Sequence, residues 1–161
     1  MFVFPKSWFS ETSGLIFTKE IPQNLDPERN SLIIFDDFLA NRTKLKDICE
    51  YFIGAAHHYN ASVIFITQNM FLQDAYFRTI SLNSSALIIF RSVRIADQLQ
   101  VLSRQLFGAS RGQVLPRIYS DACRTPFSYL LIDLSQTCPD NFRVRAKILP
   151  DEGPEVVYDT S

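Results

Sequence analysis

Glycine is scarce in this chain, with five in 161 residues, at positions 14, 54, 108, 112 and 153. None is followed by lysine, so the loop G-x-x-x-x-G-K-[ST], whose backbone amides and lysine hold phosphates, is missing. Cysteine is equally sparse. Cys49, Cys123 and Cys138 are odd in number, widely spaced and without a CxxC pair. That argues against a disulfide framework and a zinc site, and for a reducing compartment, cytoplasm or nucleus. The amino-terminal MFVFPKSWFSE is too short and too interrupted for the apolar region of a signal peptide. No run approaches the roughly 20 apolar residues of a membrane span. A protein that is intracellular, not secreted and not membrane-bound is therefore expected. Charge of one sign is lacking too: 16 basic against 17 acidic residues give a net charge of −1. Strong autonomous DNA binding has no whole-domain footprint here, although a local patch or a ring of subunits would supply one.

Apolar residues make up 47% of the chain, and fourteen Phe and six Tyr against five Gly point to one domain with a dense core. Leu32-Ile33-Ile34-Phe35 runs straight into Asp36-Asp37. A short apolar run of this kind reads as a strand buried on both faces, as in a parallel sheet. Such sheets bind ligands at the carboxyl ends of their strands. Two aspartates there are what a nucleotide-hydrolysing site needs to hold magnesium and to orient a water.

Residues 1–30 read as irregular, broken by Pro5, Pro22 and Pro27. After the strand at 31–36, Leu45, Ile48, Cys49, Phe52 and Ala56 recur at helical spacing, predicting a helix from about Thr43 to His57. Asn41 or Thr43 is the expected cap. Ala61–Thr67 is a second buried strand, ending in Thr67-Gln68-Asn69. A less regular stretch leads to a third, Ala86–Phe90, closed by Arg91. Ile95, Ala96, Leu99, Leu102 and Leu106 define a second helix, and Leu115–Ala122 a third, with Pro116 in its first turn. Tyr129–Leu134 is apolar, and Phe142–Ile148 alternates apolar residues with Arg143, Arg145 and Lys147, the mark of a half-exposed edge strand. The turn Thr137–Asn141 between them predicts an antiparallel hairpin. The pattern is α/β, and a sheet opening on the acid-bearing strand lacks its first βα unit.

The acidic pair has a plain alternative, since a doublet after a strand also starts a turn. The neighbouring strand shifts the balance, because it ends in Thr67-Gln68-Asn69, where an uncharged polar side chain suits sensing a γ-phosphate and positioning a water. A phosphorelay receiver would need an aspartate and then a lysine ending later strands, and these end in Thr67 and Arg91. His57-His58 suit a helix carboxyl end and point in different directions, against a metal pair. Arg78, Arg91, Arg94 and Arg104 are placed near the carboxyl-end rim or on the helix behind it. Each suits either a surface ion pair or the arginine that stabilises a transferring phosphoryl group. The face Arg143, Arg145, Lys147 reads as protection of a sheet edge, ahead of a track for a nucleic-acid backbone.

SLIIFDD, GAAHHYNASVIFITQN, FRTISLNSSALIIFRS, SRQLF and a late YLLIDL hairpin together resemble a virus-type DNA-packaging ATPase of the FtsK–HerA superfamily, whose members include virus- and transposon-derived genes. The resemblance runs from about Ser31 to Pro150. It implies a RecA-like P-loop NTPase (ASCE) fold that binds ATP and Mg2+, assembles into a homo-oligomeric ring and drives double-stranded DNA. By position it puts Asp36 and Asp37 on the Walker B motif, with Asp36 on the metal. Gln68 falls on the polar sensor, flanked by Thr67 and Asn69 in the nucleotide-binding segment. Arg78, Arg91 and Arg94 become candidates for intersubunit or DNA contacts.

The missing Walker A loop is the departure. The expectation is thus a carboxyl-terminal part of such a domain: 1–30 a connector after an absent P-loop unit, 31–150 the rest of an incomplete ATPase sheet with its hairpin, 151–161 a tail. No autonomous ATP hydrolysis is expected. Two alternatives stand beside it. One is a catalytically inactive interaction module that joins rings of full-length relatives. The other is an unrelated small metal-dependent α/β enzyme built on the acidic pair.

Overall fold

The computed structural model describes residues 16–22, 25–26, 28–36, 42–55, 60–70 and 73–160. It is mixed α/β, with a two-stranded parallel sheet and a four-stranded antiparallel sheet. The chain divides into two compact units, Met1–Phe65 and Ile66–Ser161.

In the first unit, strand β1 (Ser31–Asp36) is followed by helix α1 (Arg42–Glu50), a π-helical turn (Tyr51–Ala55) and strand β2 (Ala61–Ile66), which pairs with β1. Leu45, Ile48 and Cys49 are buried on α1, as their spacing predicts. The Phe35 ring meets Tyr51 edge-on, centroids 5.7 Å apart, so the end of this helical segment packs on β1. Thr43 lies inside α1 rather than capping it, while Asn41, Ala56 and His57-His58 fall outside the described residues. One expectation is corrected. β1 is buried on one face only: Ile33 and Phe35 are buried, whereas Leu32 is 60% and Ile34 52% exposed. An apolar run shows that both faces resist water; it does not show that both are covered.

The second unit carries helix α2 (Ala75–Asn83), strand β3 (Ala86–Phe90), helix α3 (Ala96–Phe107), a 3-10 turn (Ala109–Arg111), helix α4 (Val114–Ala122) and strand β4 (Tyr129–Asp133). Strands β5 (Val144–Ala146) and β6 (Val156–Val157) complete a sheet in the order β3-β4-β5-β6. The predicted hairpin is present, with Leu131 opposite Arg145 and Ile132 opposite Val144. β3 runs antiparallel to β4 on its other side, from Ala86 opposite Asp133 to Phe90 opposite Tyr129. Ile89, Leu130, Ile132 and Val144 form the sheet side of the core, against Leu99 and Leu102 of α3 and Leu115 and Ile118 of α4. The opposite face stays partly bare at Ile88 and Phe90.

α2 was not evident in the sequence. Asp74 caps it, its carboxylate accepting from the amides of Tyr76 (2.8 Å) and Phe77 (3.3 Å), and Phe77 and Ile80 are buried. α3 ends at Gly108, whose φ of +101° a side chain would resist, and whose amide caps the Arg104 carbonyl at 3.0 Å. Ser103, fully buried, joins α3 to α4: its hydroxyl donates to the Arg111 carbonyl (2.6 Å) and accepts from the Leu115 amide (3.2 Å). Ser103→Ala strands both groups, and is expected to cost about 1–3 kcal/mol in a urea melt. Ser103→Thr retains the hydroxyl and separates hydrogen bonding from crowding.

β5 is not an edge strand, since it pairs with both β4 and β6. Nor are Arg143, just before β5, and Arg145 within it free cations. The Arg143 guanidinium donates to the carbonyls of Asp133 (2.8 Å) and Cys138 (3.2 Å) and to the Asp140 carboxylate (2.9 Å). Arg145 bridges Asp133 (3.2 Å) and Glu155 (3.1 Å). These cations close the hairpin loop and hold the β6 segment. The Asp133 carboxylate also accepts from the Ser135 hydroxyl (2.6 Å) and amide (3.0 Å). Those bonds first, with Arg145 a lesser contributor, hold its pKa below the ordinary 3.8. Because the folded pKa is depressed, the stabilisation is present above pH 3.8 and is lost as pH falls through the lower folded value. Thermal melts between pH 2 and neutrality are expected to show Asp133→Asn with a lower melting temperature at neutral pH and a shallower decline below about pH 4.

Candidate functional site

Asp36 is the last residue of β1 and is exposed, while Asp37 lies outside the described residues. Because β1 and β2 are parallel neighbours, their carboxyl ends share one edge of that sheet. The polar segment follows at once, with Thr67 directly after Ile66.

The three polar residues are not equivalent. The Thr67 hydroxyl donates to the Asn69 carbonyl (3.0 Å) and accepts from the Asn69 amide (3.2 Å), closing a tight turn. Gln68 sits at the apex, exposed, with Thr67 and Asn69 half-buried beside it. The turn is tied down through Met70, whose amide donates to the Gln98 side chain on α3 (3.1 Å). Thr67 is thus spent on shaping the loop, and Gln68 is the residue it presents. Gln98 was not singled out in the sequence. It is one of several polar residues on α3, and only the fold brings it to the turn.

The arginines belong to the second unit. Arg78 is exposed on α2. Arg91 follows β3, and its guanidinium donates to the Arg124 carbonyl (3.1 Å). That strand is hydrogen-bonded into the antiparallel sheet. Arg94 is exposed in the loop before α3, held through its backbone amide to Ser92 (3.3 Å). The Arg104 guanidinium donates to Gln100 (3.4 Å) and lies where a Cβ on Gly112 would meet its Nε at 2.8 Å.

Mg2+ in nucleotide sites takes one or two carboxylates and completes its shell with water and phosphate oxygens. An exposed aspartate at a strand end fits that mode, and a cage of three protein ligands is not required of it. No group of three or more His, Cys, Asp or Glu able to hold a metal is found among the described residues. Among the described residues the glycines form no phosphate cradle: Gly54 lies in the π-helical turn, Gly108 stops a helix, Gly112 ends the 3-10 turn and Gly153 (φ +88°) serves another turn.

The other perturbed groups have structural causes. Burial pushes the Cys123 thiol up to about 11, away from nucleophilic use. Tyr129, raised chiefly by burial, donates to Glu152 (2.6 Å) and accepts from the Ile148 amide (3.2 Å), clamping the segment after β5. Tyr158, pushed up to about 12 chiefly by burial, is bound to Asp121 of α4 (2.9 Å). An open depression lined by Asn30, Ser31, Leu32, Asn60, Ala61 and Ser62 lies at the amino ends of β1 and β2, the end away from Asp36. Among the described residues no helix is long and apolar enough to cross a membrane. Comparison of the chain with known protein families, characterised proteins and solved structures gives no match.

Proposed function

We propose that this chain is the carboxyl-terminal part of an ATP-driven double-stranded DNA packaging or translocation motor, carrying the acidic and sensor half of a RecA-like nucleotide site. The observation that carries this reading is the parallel pairing of β1, ended by exposed Asp36, with β2, which leads directly into a turn presenting Gln68. Asp36 would hold Mg2+, which would supply positive charge to offset that developing on the phosphates. Asp37 would orient the attacking water, and Gln68 would report on the terminal phosphate. Arg78 and Arg94, both exposed, are the candidates for the arginine supplied to a neighbouring subunit of a homo-oligomeric ring. The same reading takes 1–30 as a connector and makes the missing phosphate-binding unit the source of a further strand.

The test is made on the longer parent polypeptide that includes an upstream phosphate-binding loop. Asp37→Asn is expected to lower ATP turnover by about 10²- to 10⁴-fold, the usual range for a positioned acid–base group. Gln68→Ala is expected to lower kcat with little change in KM, as for an interaction made mainly in the transition state. Full turnover in both variants contradicts the assignment. Metal-dependent activity without any nucleotide would favour the small α/β enzyme instead.

A further inference from the structure

We draw no further inference here: the strongest candidate, the partly bare apolar face of the four-stranded sheet at Ile88 and Phe90 on its terminal strand β3, carries nothing because nothing in the structure shows what covers it.

Discussion

Replacing Leu130 with alanine is expected to lower the stability of the Ile66–Ser161 unit by about 3–4 kcal/mol, a large share of the roughly 5–15 kcal/mol typical of a folded domain. Leu130 is fully buried at the centre of β4, opposite Ile89 of β3 and within the cluster formed with α3 and α4. Its removal takes away transfer free energy and leaves a cavity that two helices and a sheet cannot readily close. Ile88 lies one residue from Ile89 on the other face of the same sheet and is 52% exposed. Ile88→Ala is therefore expected to cost less than about 1 kcal/mol. Urea melts followed by circular dichroism compare the two. Equal costs would mean that Ile88 is packed as tightly as the core, against its exposure on the β3 part of that face.

The second large effect is an absence of activity: the 161-residue chain is expected to show no Mg2+-dependent ATP turnover above a protein-free blank. Triphosphate binding needs converging backbone amides and a cation, and helix amino termini are the usual source of the amides. Three of the four α-helices described here are unsuited. At α2 the Asp74 carboxylate already takes the Tyr76 and Phe77 amides. At α4 the Ser103 hydroxyl takes the Leu115 amide. α3 opens with Asp97, whose charge repels a phosphate. In the proposed reading Asp36 would supply metal chemistry and Gln68 sensor chemistry, and these three helix amino termini would not hold the nucleotide against them. Turnover by the purified chain that Asp37→Asn abolishes would overturn this expectation.

The elements with strong periodicity were legible in the sequence. Leu99 and Leu102 are buried on α3 and Leu115 and Ile118 on α4, and the hairpin pairs as its turn predicts. α2 was hidden because Thr79, Ser81 and Asn83 dilute its apolar face, although Asp74 followed by Phe77 and Ile80 was a usable signal. β5 was read as an edge because its partner β6 is only Val156–Val157, too short to show any period. The burial of β1 was misjudged because hydrophobicity reports what a face prefers, and Leu32 and Ile34 remain exposed despite that preference. At the candidate site, the strand ends were readable from apolar runs meeting polar residues. The division of labour in Thr67-Gln68-Asn69 was not, because it depends on which hydroxyl closes the turn.

The central claim, that Asp36, Asp37 and Gln68 are half of a nucleotide site completed by sequence upstream of Met1, is tested most directly at the 5′ end of the transcript. The account predicts an open frame continuous with Met1 that encodes G-x-x-x-x-G-K-[ST] between a strand and a helix. A transcript with an in-frame stop immediately before Met1, and no such loop in phase, would contradict it and leave the acidic pair without a nucleotide to act on.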